Sequence, residues 1–82
     1  MPDDDTVVQT AADAAESVVF SRYSRSAVVD LDVTVSFEDG ILDVDVYLNA
    51  GASSESERQE EAQVTDDAAT AARDAVDELF AE

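Results

Sequence analysis

The stretch VVDLDVTVSFEDGILDVDVYLN, residues 28–49, constrains the fold most, because apolar and polar residues alternate along it in two runs. Alternation with a period of two is typical of β-strands that bury one face and expose the other. Asp39 and Gly40 separate the two runs, and both residue types accept the positive φ angles of a type I′ turn. The stretch therefore predicts an antiparallel β-hairpin over about residues 28–49.

A two-residue turn also determines the register of this hairpin. On the outer face, Thr34 is expected opposite Asp45. A shift of one residue would move every apolar side chain to the wrong face, so a single register is favoured. The predicted apolar pairs are Phe37–Leu42, Val35–Val44, Val33–Val46 and Leu31–Leu48.

Helical periodicity precedes and follows the hairpin. Apolar residues between Val7 and Val19 share one face, which predicts an amphipathic helix over about residues 5–21. A second helix is predicted over about residues 56–80, with its apolar face running from Val64 to Leu79. The polar stretch AGASSESERQEE links the hairpin to this second helix.

Both helix starts contain capping signals. The acidic run Asp3–Asp5 suits the positive end of the first helix dipole, and Thr6 with Gln9 matches a capping box. For the second helix, two capping boxes are possible: Ser54 with Glu57, or Ser56 with Gln59.

The element order helix–strand–strand–helix predicts a two-layer α+β fold in one domain over residues 1–82, with both helices covering the apolar face of the hairpin. A two-stranded sheet is marginal, and its edges expose unpaired backbone groups. We therefore expect a protein partner to extend the sheet, in a homodimer or a heterodimer, through a sheet edge or the helices. The alternative is a monomer in which Asp30 and Asp45 block edge pairing.

The composition allows only a thin core. Of the hydrophobic residues, 12 are valine and 14 are alanine, which bury little area each. A core of this size rarely supplies more than about 3–5 kcal/mol, and small domains usually add disulfides, a metal or a partner. The chain has no cysteine and no histidine. Disulfides and thiolate or imidazole metal sites are thus excluded, which favours the partner.

The charge balance is extreme, with 21 acidic residues against four arginines, no lysine and a net charge of −17. Acidic chains can be disordered, but 45% of these residues are apolar and follow clear periods. The other interpretation is a cytoplasm of molar salt, where the Debye length of about 3 Å screens the repulsion. The composition therefore predicts a halophilic source.

The sequence contains no apolar run of the roughly 20 residues that cross a bilayer. The start MPDDDT is acidic and lacks the apolar segment of a signal peptide. We therefore expect a cytoplasmic protein without a membrane partner.

Catalytic signals are weak. No histidine or lysine is present to activate a serine, and no glycine-rich phosphate loop occurs, so the chain is expected to be neither an enzyme nor a cofactor-binding protein. Asp30, Asp32, Asp43 and Asp45 share the outer sheet face and offer hard ligands for a cation. A flat sheet face does not converge ligands on one point, so a solvated acidic face is the favoured interpretation and no metal site is predicted.

The segment VVFSRYSRSAVVDL, between the first helix and the hairpin, holds two of the four arginines. Arg22, Tyr23 and Arg25 can contact RNA phosphates and bases, or join Phe20 in a protein interface, where Arg, Tyr and Phe are enriched. The intramolecular interpretation is that the arginines complement the helix end and pair with carboxylates. Phe20 lies on the polar side of its helix and lacks an evident partner.

The hairpin and C-terminal helix, VVDLDVTVSFEDGILDVDVYLNA…DDAATAARDAVDELF, resemble the small dimerising subunit of the KEOPS complex, which makes threonylcarbamoyladenosine in tRNA. The resemblance covers about residues 11–80 and rests on element order, length and pattern. The chain is also similar to an uncharacterised family of small archaeal proteins. The resemblance implies that the members of this family are paralogues of the KEOPS subunit. Arg22 and Arg25 match the basic connector before the hairpin of that subunit in their position along the chain only.

This resemblance implies a sheet completed across a dimer, helices docked on a catalytic subunit, and indirect contact with tRNA. That subunit usually begins with an additional strand, whereas this chain starts with a helix, which favours a heterodimer or an interface at a different edge. The sequence thus predicts a non-catalytic dimerisation subunit of a tRNA-modifying assembly. The alternative is a self-contained homodimeric structural or regulatory protein of a halophilic archaeon.

Overall fold

A computed structural model describes residues 3–81 and confirms the α+β fold. The chain forms α1 (Asp4–Arg22), β1 (Asp30–Glu38), β2 (Ile41–Asn49) and α2 (Glu55–Ala81). The strands form an antiparallel hairpin, and the two helices pack against it, α1 on β1 and α2 on β2. Each helix extends one residue further at both ends than the periodicity predicted.

The hairpin has the predicted register, with Phe37 opposite Leu42 and Thr34 opposite Asp45. The turn residues Asp39 and Gly40 have φ angles of 53° and 76°, as a type I′ turn requires. The hairpin was predicted from residue 28, whereas β1 begins two residues later, at Asp30.

Side-chain caps determine where the helices begin. The prediction of Thr6 as a cap is wrong: Asp3 is the N-cap of α1, and its Oδ1 accepts a hydrogen bond of 2.8 Å from the amide of Thr6. Asp3 therefore starts the helix one turn before the predicted box. For α2, the amide of Glu57 donates to Ser54 Oγ at 3.2 Å, and that hydroxyl donates to Glu57 Oε1 at 3.1 Å. The first of the two alternatives, Ser54 with Glu57, is thus the cap.

The two helices run antiparallel, and most of the buried core lies between them. The end of α1 lies beside the first half of α2: Tyr23, the C-cap of α1, lines a cleft with Glu57, and Arg22 bonds to Asp67 near the middle of α2. Each helix buries one row of residues spaced by four, and both rows have the order Val, Ala, Ala, Val. The buried residues are Val7, Ala11, Ala15 and Val19 of α1, Val64, Ala68, Ala72 and Val76 of α2, and Leu48 of β2.

The helices cover the apolar face of the hairpin incompletely. Leu48 is the one inward-facing strand residue that is buried, at 7% exposure. Its partner Leu31 and the remaining inward-facing residues are half-buried, although they pack against the core. Helices rich in alanine have too little side-chain volume to close over two long strands. The fold therefore retains accessible apolar surface along its sheet.

Candidate partner-binding surfaces

Phe20 has a partner within its own chain, which corrects the prediction that it lacks one. The guanidinium carbon of Arg25 lies 4.6 Å from the centroid of the Phe20 ring. A cation over an aromatic face at this distance is attracted by the ring quadrupole. Phe20 is half-buried and lines an open depression of about 280 Å³ with Asp13, Glu16 and Ser17. Arg25 reaches back from the connector after α1 and covers the ring on the polar side of the helix.

Arg22 links the two helices. Its Nη2 donates to Asp67 Oδ2 at 2.9 Å, and the two side chains are 48% and 35% exposed. Arg22 also lies in the last turn of α1, where a cation complements the negative end of the helix dipole. Both contacts agree with the intramolecular interpretation of this arginine.

Tyr23 ends α1 and packs beside the first turns of α2. Its amide donates to the carbonyl oxygen of Val19 at 2.9 Å. The ring is half-buried and lines a small cleft together with Glu57, Glu60 and Glu61. Desolvation raises the pKa of the Tyr23 hydroxyl, and the negative charges of the three glutamates raise it further.

The corner formed by these four residues does not present one convergent binding site. Arg22 is directed at α2, Tyr23 packs among glutamates, and Arg25 covers Phe20. A phosphate approaching this corner would meet arginines that already have partners and three nearby carboxylates. The geometry thus favours the corner as the joint between helix and sheet.

The outer edges of the hairpin are a second candidate surface for binding a partner. Each strand has nine residues without proline, and the sheet of the described chain contains only these two strands. Beyond β2, a groove of about 360 Å³ lies between the strand and α2, with Tyr47 on one wall and Arg58 on the other. Glu61, on the same wall, accepts a hydrogen bond of 2.8 Å from the amide of Ala50 and attaches the end of β2 to α2.

At the turn end of the molecule, Phe37 of β1 and Phe80 of α2 pack with ring centroids 5.8 Å apart and an interplanar angle of 38°. Together with Leu42 and Val76 they line a groove of about 270 Å³. Sequence periodicity placed Phe80 at the border of the apolar face of α2, but it contained no signal that joins this ring to the hairpin.

The acidic outer face of the sheet lacks the geometry of a metal site. Asp30, Asp32, Asp43 and Asp45 occupy exposed positions on the two strands. Within residues 3–81, no group of three acidic side chains lies close enough to hold a metal ion. The described part of the chain also contains no helix that is long and apolar enough to cross a membrane.

These features define a small two-layer αββα protein, and no further strand of its described residues covers either edge of the sheet. The chain belongs to the family described as "Protein of unknown function (DUF3194)", whose sequence model matches residues 3–79. It is 51% identical over 79 residues to an uncharacterised protein of Natronomonas pharaonis, and this match covers 96% of the chain and 89% of the relative. The family therefore has a haloarchaeal member, in agreement with the acidic composition. No solved structure matches the chain.

Proposed function

We propose that this protein is a non-catalytic subunit that pairs with a partner protein through a free edge of its sheet. One observation carries the proposal: within residues 3–81 the sheet has only two strands, and each is nine residues long with an outer edge free of proline. Long, regular edges are templates for further strands, and natural proteins cover or pair them. A partner strand would satisfy these backbone groups.

The incomplete burial of the inner sheet face supports the same function. Among the residues that the structure describes, nine are buried and all except Leu48 are Val or Ala, so this core is thin. A partner that adds a strand would also bring side chains over the half-buried valines. Such an interface combines ladder hydrogen bonds with apolar burial, as in other cases of strand addition.

The composition supports a role without catalysis. The chain contains no histidine, cysteine or lysine, which are the common nucleophiles and proton-transfer groups of active sites besides carboxylates and hydroxyls. The acidic groups with a shifted pKa, Asp3 and Glu57, are exposed helix-end carboxylates with a lowered pKa. A general base would need the opposite shift.

The assembly that we propose is a tRNA-modifying complex similar to KEOPS, because the chain shares the element order, length and alternating hairpin of its dimerising subunit. The protein would act there as a structural subunit, with tRNA contacted mainly by its partners. The arginines of the Phe20–Arg25 corner serve the fold in this proposal, because each already has an intramolecular contact.

Affinity purification of the tagged protein from a haloarchaeal cell, with crosslinking and washing in molar KCl, tests this function. We expect stoichiometric recovery of a KEOPS component, and lower threonylcarbamoyladenosine in tRNA when the gene is deleted. Recovery of no such component, with unchanged tRNA modification, would contradict the proposal. Recovery of the protein alone as a dimer would instead favour a stand-alone structural or regulatory role.

Two variants test the corner in the same experiment. Phe20→Ala removes the ring beneath Arg25, and Arg22→Glu places a carboxylate opposite Asp67. We expect both variants to keep partner recovery, because the proposed interface is the sheet edge. Loss of the partner without loss of helical signal would move the interface to this corner.

A further inference from the structure

The free edge of β1 contains its unpaired backbone groups in a regular order. In an antiparallel hairpin with a two-residue turn, the pair beside the turn exchanges hydrogen bonds, and paired and unpaired positions then alternate. Glu38 and Ile41 flank this turn, so the amides of Phe37 and of every second residue before it point away from β2. The outward-pointing groups belong to Leu31, Val33, Val35 and Phe37.

We infer that β1 pairs with β1 of a second copy of this chain, antiparallel, about a two-fold axis at Thr34. This inference rests on the proposed function, since it names the edge, the partner and the register of that pairing. Thr34 is the central residue of β1, so this register is the one that pairs all nine residues. The facing pairs are Thr34–Thr34, Val33–Val35, Asp32–Ser36, Leu31–Phe37 and Asp30–Glu38.

This register places compatible side chains opposite each other on both faces. Valine meets valine beside the axis on the inner face, and the two Thr34 side chains meet on the outer face. Asp32 meets the neutral Ser36. The one like-charged pair, Asp30 with Glu38, falls at the exposed ends of the strands, where water and salt screen it.

The equivalent pairing of β2 is disfavoured by charge. Asp45 is the central residue of β2, so a two-fold axis there would set two Asp45 carboxylates directly opposite. The central pair is not hydrogen-bonded within the new ladder, and Cα atoms in such pairs approach to about 4.5 Å. Like charges directly opposite destabilise a sheet. The difference between Thr34 and Asp45 at the two centres therefore selects the β1 edge.

A two-fold axis perpendicular to the sheet keeps both helical layers on the same face. The half-buried valines of the two chains then form one continuous apolar surface beneath four helices. Pairing β1 with β2 of a second copy would also avoid like charges at its centre, but it leaves a free β1 edge at one end and a free β2 edge at the other, so further copies add without closing. The β1–β1 arrangement closes at two copies.

The first experiment compares Val35→Pro with Val44→Pro in molar KCl by sedimentation equilibrium. Val35 and Val44 face each other in the hairpin, so both variants remove the same side chain from the same pair. Both amides point outward, and proline is tolerated at such edge positions. We expect Val35→Pro to weaken dimerisation roughly hundredfold, because the dimer loses two backbone hydrogen bonds and leaves the two carbonyl acceptors without a donor. Val44→Pro should remain a dimer.

The second experiment uses the fact that only a residue on the axis faces its own copy. Thr34→Asp and Thr34→Lys should each dimerise several-fold more weakly than the unmodified protein, since each puts like charges opposite. Mixing tagged Thr34→Asp with untagged Thr34→Lys should restore pairing, measured as the untagged copy recovered on the tag. The same exchange with untagged Thr34→Asp in place of Thr34→Lys is the matched control and should restore nothing, because two aspartates still face each other on the axis.

The possible results separate this inference from the proposed function. A purified protein that stays monomeric in molar KCl, or a dimer sensitive to Val44→Pro and not to Val35→Pro, overturns the β1 pairing. Oligomers that grow beyond two copies, or no recovery in the mixed sample, overturn the closed register about Thr34. Each of these results leaves a heterologous partner to be decided by the affinity purification. A dimer with the expected sensitivities, but with no recovered assembly, supports the pairing and contradicts the proposed assembly.

Discussion

Val64→Ala should remove a large part of the stability, because Val64 lies in the buried row of α2 and is 1% exposed. Deleting two methyl groups costs about 1.6 kcal/mol in transfer free energy. A residual void of roughly 20 Å³ adds about 0.5 kcal/mol. The higher helix propensity of alanine offsets about 0.5 kcal/mol. The expected loss is about 1.6 kcal/mol, a third or more of the 3–5 kcal/mol or so that a core of this size supplies.

The matched control is Val29→Ala, the same deletion at a side chain that is 69% exposed. Surface substitutions of this kind change stability by about 0.5 kcal/mol or less. Urea denaturation in molar KCl, at one protein concentration, measures both variants. With a slope of about 1 kcal/mol per molar urea, the midpoint of Val64→Ala should fall by about 1.6 M and that of Val29→Ala by less than about 0.5 M. Equal shifts would refute the assignment of Val64 to the core.

The surface charges should respond to salt, pH and substitution in ways that circular dichroism and thermal melts can measure. Dilution from molar to tens of millimolar KCl should unfold the chain, because the net charge of −17 is then unscreened; full helical signal at low salt would contradict this. Hydrogen bonds from Ser53 and Ser54 lower the pKa of Glu57, so its stabilisation is present above the ordinary pKa of about 4.3 and is lost as the pH falls through the lower folded value. In Glu57→Gln the melting temperature should fall less steeply as the pH is lowered through this range. The same fall in the variant and the unmodified protein would exclude the cap. Arg22→Ala should cost less than about 1 kcal/mol, as exposed pairs do, whereas a loss of several kcal/mol would indicate a buried role.

Much of the fold could be predicted from the sequence because its strongest signals are local. The turn Asp39–Gly40 and the alternation on both sides of it involve neighbouring residues, and together they leave one register that keeps apolar side chains on one face. The structure has that register. Helix starts were less predictable, because Asp3 and Thr6 both have capping side chains and the choice depends on which amide lies within reach.

The corner residues show why a site is harder to predict than an element. Sequence spacing placed Phe20 on the polar side of α1 but could not show that Arg25, five residues later, would return over its ring. The connector that brings Arg25 back has no periodicity, so its path is decided by contacts. Arg22 was expected to pair with a carboxylate, and only the packing of α1 on α2 identified that carboxylate as Asp67.

The sequence by itself determined the elements, their order and the hairpin register, because periodicity, turn chemistry and capping act over a few residues. The tertiary structure decided how the helices divide their apolar surface. The Val, Ala, Ala, Val rows of α1 and α2 are buried mainly between the helices, and the inner face of the sheet remains half-covered. The same periodicity would also allow the two rows to be buried against the sheet. The choice depends on side-chain volume: two alanine-rich helices approach each other closely but cannot fill the space above two nine-residue strands. That incomplete cover leaves the apolar side chains of the inner sheet face partly exposed.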